Sequence, residues 1–149
     1  MKKSLIIIIA FVAFYLWAAD SNILPAVTEN KVQSVSADDK NNAIDTAFKQ
    51  KISDLQVRGT GTVSAVLGDD TKGSRHQKFI LKLPSGLTLL IAHNIDLAPR
   101  INGLSKGDQV EFYGEYEWSN KGGVVHWTHR DPNGRHIGGW LKHEGKTYQ

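Results

Sequence analysis

Histidine and arginine side chains are concentrated near the end of this 149-residue chain, on both sides of a turn sequence. The residues at 131–134, Asp-Pro-Asn-Gly, have proline second and glycine fourth, which is typical of a type I turn. If this turn closes a hairpin, His129 lies opposite His136 and Arg130 lies opposite Arg135. Directly opposed Cβ atoms are ~5 Å apart, so the imidazoles can share one ligand. The two arginines favour an anion such as a phosphate or a carboxylate.

A divalent metal ion is the alternative ligand for the same region. The chain has six histidines and no cysteine, so a metal site must use imidazole and carboxylate groups. Residues three apart on a strand point to opposite faces, so two histidines at that spacing do not form a site by themselves. The candidate ligands are His129, His136, His126 and Asp131, with Asp96 or Glu117 to complete the shell. Such a site is typical of a metal-dependent hydrolase, and phosphodiesters are one substrate class.

A pairing of glutamate with histidine is predicted where the fourth strand meets the fifth. A four-residue loop at 120–123 places Glu117 opposite His126 and Glu115 opposite Thr128. A Glu–His pair can act as a general base. An ordinary surface ion pair is the simpler interpretation, since exposed pairs are common and contribute about 0–1 kcal/mol.

His76 and His93 are added to the ligand-binding candidates. A three-residue loop at 84–86, Pro-Ser-Gly, places Gln77 opposite His93 and brings both histidines to the same ends of strands two and three. Asp96 follows closely. Its carboxylate either orients a ligand beside the imidazoles or caps the segment that comes next.

Three of the four tryptophans lie in the same C-terminal region. Trp118 and Trp127 alternate with polar residues and are expected in the core, since a small barrel needs bulky side chains. Trp140 follows two glycines and is the candidate for an exposed platform that stacks on a sugar or a base.

Most of the elements that must position these side chains are strands. Apolar residues recur at three- and four-residue steps from about Asp38 to Ser53, which predicts an amphipathic helix. From Leu55 onward the pattern has period two, which predicts strands. Five such segments follow, with a short helical or irregular connection at 97–104: Val57–Leu67, Arg75–Leu83, Leu87–Ile95, Gln109–Trp118 and Val124–His129.

This order of elements resembles the OB fold, a five-stranded Greek-key barrel with a connecting segment between strands three and four. Gly59 and Gly61 fit the resemblance, because a small barrel must bend sharply in its first strand. The predicted fold class is mainly β: an OB-like barrel with an N-terminal amphipathic helix and an extra C-terminal hairpin, behind a signal or anchor helix. In that hairpin, residues 135–142 return on strand five. A β-sandwich or an SH3-like barrel would give similar short strands.

The N-terminus predicts export from the cytoplasm. Two lysines precede an apolar run from Leu5 to Ala19, which is the pattern of a secretory signal. The residues before Ala19 fit signal peptidase poorly, so a cleaved signal and an uncleaved anchor both remain open. Three segments result: a signal or anchor at 1–19, a linker at 20–37 and a domain of helix plus barrel at 38–149. The domain is expected in the periplasm, free or anchored to the inner membrane.

The composition excludes several classes of protein. The absence of cysteine excludes a lipid-modified N-terminal cysteine, a disulfide framework and a thiolate metal site. The formal charge of +3 comes from 18 basic and 15 acidic residues, and Lys2 and Lys3 lie in the export segment. The remainder therefore carries +1, which gives no strong signal for nucleic acid. The expected partners are a small or anionic ligand, and the inner membrane if the export segment stays attached.

Four short strings resemble a family of short exported bacterial proteins that carries only a domain-of-unknown-function label. They are RHQKF at 75–79, HNIDL at 93–97, GGVVHWTH at 122–129 and GGW at 138–140. The resemblance covers about residues 55–149 and implies a bacterial exported domain without an assigned activity. Two functional hypotheses result. The first is an exported OB-like binding module for an anionic or sugar-like ligand. The second is a histidine-ligated, metal-dependent hydrolase. A third interpretation is that the histidines serve only as hydrogen-bonding groups that stabilise the barrel.

Overall fold

A computed structural model describes residues 37–149 of the chain. The predicted export segment, and the linker up to residue 36, lie outside the described residues. Within 37–149, no helix is both long enough and apolar enough to cross a membrane. The elements are α1 (Ala37–Gln50), β1 (Leu55–Val66), β2 (His76–Lys82), β3 (Thr88–Asn94), β4 (Gln109–Glu117), β5 (Val124–His126), β6 (Trp140–His143) and β7 (Lys146–Tyr148).

Helix α1 confirms the amphipathic helix predicted ahead of the barrel. Its apolar stripe buries Ile44 and Ala47 against the core. The helix ends at Gln50 because Lys51 adopts a left-handed conformation with φ of 56°. The N–H of Lys51 then donates to Phe48 O at 3.3 Å, and the N–H of Ile52 donates to Ala47 O at 2.9 Å. This pair of bonds is a Schellman motif, which satisfies carbonyl groups at the helix end.

Gly59 has a different role from the one predicted for it. A Cβ at Gly59 would collide with the Asn41 side chain and with the Phe112 ring, so glycine lets α1 pack closely on β1. There the Asn41 amide bonds both backbone groups of Thr60, at 3.1 and 3.2 Å. The irregularity in the first strand instead lies between Val63 and Ala65, where the pairing with β2 shifts register.

The five predicted strands close into a barrel, and the OB-like fold is confirmed. β1 pairs antiparallel with β2, and β2 with β3. β3 pairs parallel with β5, β5 pairs antiparallel with β4, and β4 returns antiparallel to β1. The hairpin between β2 and β3 has the predicted register, with Gln77 opposite His93. Gly86 takes the predicted left-handed conformation, with φ of 90°.

The register predicted between β4 and β5 is wrong by two residues. His126 lies opposite Glu115, and Glu117 lies opposite Val124. β4 ends at Glu117 because Trp118 is held by groups outside the sheet. The backbone N–H of Trp118 donates to Ser53 Oγ at 2.9 Å, and its indole N–H donates to Phe48 O at 3.2 Å. The connection therefore spans 118–123, which is longer than the predicted loop.

Two extra C-terminal strands follow the barrel and form a hairpin, β6 with β7, but the predicted return of residues 135–142 on strand five is wrong. β6 pairs with β4, with Val110 opposite His143 at one end and Tyr113 opposite Trp140 at the other. β7 pairs with β6. β5 and β6 therefore lie along the same edge of β4, one after the other. Residues 127–139, here called the inserted loop, leave this edge after His126 and rejoin it at Trp140. β4 is continuous across the gap, so the strand pairing itself does not require the loop.

Candidate functional site

The candidate site lies on the outer face of β4, where the inserted loop leaves the sheet. Glu115 points outward because it alternates with inward residues of β4. Its direct neighbours are Gln56 on β1 and His126 on β5. Glu117 lies on the same face, two residues along. The Nε2 atom of His126 is 3.3 Å from Glu115 Oε1 and 3.7 Å from Glu117 Oε1.

His136 of the inserted loop binds the other oxygen of Glu115. Its Nε2 is 2.6 Å from Glu115 Oε2, and its Nδ1 is 2.7 Å from the carbonyl oxygen of Ile137. Both partners are acceptors, so both ring nitrogens donate and the ring is an imidazolium. Partial burial lowers the pKa of His136, but the hydrogen bonds to Glu115 and Ile137 and the nearby carboxylate charges raise that pKa above its usual value overall.

Trp127 connects the two histidines of the inserted loop. Its ring stacks on His136 with centroids 4.0 Å apart and an interplanar angle of 9°. His129 contacts the same indole at 5.3 Å and 37°. Each imidazole also bonds a neighbouring carbonyl through Nδ1, at 2.8 Å to Arg130 O in the case of His129. Trp127 therefore acts as the packing centre of the loop and is half-buried on the surface, contrary to its predicted place in the core.

The backbone of the inserted loop is held at several points. The Asp131 carboxylate accepts backbone N–H groups of Asn133, Arg135 and His136 at 3.0, 2.7 and 2.8 Å. These bonds are the first causes of a pKa of Asp131 below its usual value. The predicted turn at 131–134 forms, with Gly134 N–H donating to Asp131 O at 3.1 Å.

The neck of the inserted loop is closed by Gly139 and Thr128. A Cβ at Gly139 would overlap the carbonyl oxygens of Trp127 and Tyr113, so this position requires glycine. Thr128 is fully buried, and its hydroxyl bonds His93 Nδ1 at 2.8 Å. The loop is thus fixed both to β4 and to the barrel interior.

A comparison with known protein families gives a match. The family model described as a protein of unknown function (DUF3465) matches residues 23–149. The chain belongs to this family. The resemblance drawn from the four short strings is therefore confirmed at the level of the family. No curated protein matches the chain significantly.

In this DUF3465 protein, His93 is a buried structural group at the rim of the barrel. Its Nε2 donates to Pro99 O at 3.1 Å, so Nδ1 accepts from the Thr128 hydroxyl and the ring is neutral. Burial is the main cause that lowers the pKa of His93 to about 4. Its role is to connect the segment after β3 with the neck of the inserted loop. His76 lies apart from it, with Nδ1 2.8 Å from Ser74 O.

Asp96 does not cap a helix, because residues 95–97 form a turn and no helix follows before β4. Its carboxylate binds the backbone N–H and the Nε of Arg75, at 2.7 and 2.6 Å. Asn94 forms an Asx turn, in which its Oδ1 accepts the N–H of Asp96 at 2.9 Å.

The predicted facing pairs across the 131–134 turn do not form strand pairs, because β6 lies beside β4 and not beside β5. Arg130 and Arg135 are exposed, and neither guanidinium has a hydrogen bond or an ion pair within the described part of the chain. Trp140 is half-buried, with Arg58 over its ring at 5.1 Å and Tyr113 beside it at 6.2 Å. The platform predicted at Trp140 is thus partly covered.

The four predicted metal ligands are not brought together as one set. Both nitrogens of His136 have acceptors, and the Asp131 carboxylate binds backbone N–H groups. Among the described residues, His126 is grouped instead with Glu115 and Glu117. The sequence does not predict Glu115 as the centre of the site, because its pairing with His126 depends on the β4–β5 register. The outward alternation of the β4 glutamates was the signal available.

Proposed function

We propose that this protein is an exported OB-like binding module in which the inserted loop binds an anionic ligand. The observation that carries the proposal is the loop itself, at residues 127–139. Both of its ends lie on the same edge of a continuous β4, so the sheet does not need it. Long loops that a compact domain does not need are commonly functional.

The fixed backbone of the loop supports a binding role. Asp131, His136 and Gly139 hold it through the contacts described above. A ligand that binds a loop already ordered does not have to order it, so less of the interaction energy is lost on binding.

The charge of the loop defines the class of ligand. Arg130 and Arg135 present guanidinium groups to solvent, and His136 adds an imidazolium beside them whose charge is balanced by Glu115. A guanidinium binds a carboxylate or a phosphate through two parallel hydrogen bonds. Trp140 and Tyr113 adjoin the end of the loop and offer aromatic edges to a sugar ring. Acidic sugars therefore combine both features of the predicted ligand.

Export is part of the proposal and is supported by the lysines and the apolar run at the N-terminus. It places the ligand outside the cytoplasm. The hydrolase alternative stays a prediction, because its predicted ligand set is dispersed and no other observation on the loop favours a reaction.

The test uses the full-length chain, purified in mild detergent and titrated by calorimetry with inorganic phosphate, D-glucuronate and D-glucose. The variant R130A/R135A is compared with K106A/K121A, which removes the same charge from exposed lysines outside the loop. Each hydrogen bond to a charged group contributes about 1.5–3 kcal/mol, so the loss of even one such bond per arginine should weaken anion affinity by at least roughly 100-fold. The lysine variant should stay within threefold of the wild type.

Three results would contradict the proposal. One is the absence of binding by both anions at millimolar concentration. Another is an equal loss in both double variants, which would indicate a general charge effect. The third is tighter binding of glucose than of glucuronate, which would indicate a neutral-sugar site.

A further inference from the structure

Two buried side-chain nitrogens in the described residues have no hydrogen-bond partner, and both flank Glu115. They are Nε2 of Gln56 and Nε2 of His126. Gln56 lies opposite Glu115 on β1, and His126 lies opposite it on β5. Buried polar atoms in folded proteins are nearly always hydrogen-bonded or ligated. Two exceptions beside one carboxylate therefore mark the row formed by Gln56, Glu115 and His126 as a place for a polar ligand.

The His126 nitrogen lies near two carboxylates, at distances that suit a shared ion. Ligand atoms of Glu115, Glu117 and His126 all lie within 4.8 Å of one another. Nε2 of His126 is 3.3 and 3.7 Å from the two carboxylate oxygens, although neither contact is a hydrogen bond. Zinc binds nitrogen and oxygen at about 2.0–2.2 Å, so two of its tetrahedral ligands lie roughly 3.3–3.6 Å apart. The observed separations agree with that spacing.

The surroundings of Glu115 hold its carboxylate in one orientation. His136 donates to Oε2 at 2.6 Å, which leaves Oε1 on the side of His126. Trp127 stacks on His136 and limits the rotation of that ring. Carboxylate ligands of metals commonly have such hydrogen-bond partners, which orient the ligand oxygen.

We propose that Glu115, Glu117 and His126 bind a divalent transition metal, with zinc as the preferred ion. One imidazole and two carboxylates suit zinc or manganese, whereas calcium and magnesium prefer oxygen ligands alone. Three protein ligands leave a coordination position for water. This site uses none of the arginines of the proposed anion site, and the two proposals can fail separately.

The test is calorimetric titration of ZnCl₂ into the full-length chain in detergent, prepared without a polyhistidine tag and stripped with EDTA. H126A and E117Q are compared with E111Q, which changes the same residue type on the same face of β4. We expect one zinc per chain, a loss of at least tenfold in affinity in H126A and in E117Q, and a change of less than threefold in E111Q. MnCl₂ should bind more weakly than zinc, and CaCl₂ weaker still.

R130A/R135A serves as the cross-control, because it should abolish anion binding and leave zinc affinity within threefold. Urea unfolding of each variant verifies that a loss of binding is not a loss of folding. Absence of zinc binding by the wild type would overturn the proposal. So would zinc affinity retained in both H126A and E117Q, because other histidines would then hold the ion. Tighter binding of calcium than of zinc would also overturn it.

Discussion

Acidification should destabilise the folded domain through the buried imidazole of His93. The ring is fully buried and neutral, with Nε2 donating to Pro99 O and Nδ1 accepting from Thr128. Protonation would place a second proton on Nδ1, where the hydroxyl now donates, and would charge a group that has no water around it. Burial is accordingly the main reason that the pKa of His93 falls to about 4.

The magnitude follows from the difference between the folded and unfolded pKa values. The unfolded chain takes up the proton near the ordinary value of 6.5, whereas the folded chain takes it up near 4. Between these values the unfolded state binds more protons, so the free energy of unfolding falls as the pH falls. The contribution is fully present above pH 6.5, and about 2 kcal/mol of it should be lost between pH 7 and pH 5. Carboxylates with lowered pKa values, such as Asp131, change the free energy of unfolding only at lower pH, where they become protonated.

Urea unfolding at pH 7 and at pH 5 measures this effect. With a slope of about 2 kcal/mol per molar urea, the His93 contribution should lower the midpoint by about 1 M. The raised pKa of His136 acts in the opposite direction over this pH range, so the contribution of His93 is measured as the difference between the wild type and a variant that keeps His136. The variant His93→Gln keeps a donor and an acceptor but does not titrate. It should be less stable at pH 7 yet lose much less stability on acidification. An equal loss in wild type and variant would refute the assignment to His93.

Two further predictions concern the inserted loop. Gly139→Ala should destabilise the domain by about 2–3 kcal/mol, because its Cβ would overlap two backbone carbonyl oxygens, whereas Gly68→Ala, with open space at the Cβ, should change stability by less than about 0.5 kcal/mol. If the two substitutions lower the thermal unfolding temperature equally, the close backbone contacts described at Gly139 would be contradicted. Asp131→Ala removes the acceptor of three backbone N–H groups, so those amides should exchange with solvent at least tenfold faster by NMR, while amides of β2 stay unchanged. Unchanged exchange in the loop would show that Asp131 does not order it.

Local sequence chemistry was sufficient for the barrel order and for the hairpin between β2 and β3. The loop at 84–86 fixes the register by itself, because Gly86 can adopt the left-handed conformation that the loop requires. The period-two pattern could also have placed His93 inside, since it continues the inward series of Leu89 and Ile91. A histidine near a strand end also fits a ligand-binding role, so this pattern alone does not decide between the two.

The errors have non-local causes. The end of β4 depends on the bonds of Trp118 to Ser53 and Phe48, which belong to the segment before the barrel. The turn at 131–134 was predicted correctly. The strand that follows it, β6, pairs with the part of the β4 edge that β5 leaves unpaired. Neither contact has a signal in the neighbouring sequence. The grouping of His126 and His136 around Glu115 depends on both, so only the outward direction of the β4 glutamates could be predicted.

The most direct test of the proposed function is to locate the bound anion by NMR. Backbone amide shifts of the full-length chain in detergent are followed during titration with inorganic phosphate. Binding at the inserted loop should move the amides of residues 129–136 first, and R130A/R135A should abolish these changes. OB folds often bind ligands on the faces of strands two and three, where Lys78 and Lys82 lie in this chain. Shifts confined to that face, with the loop amides unchanged, would contradict the account.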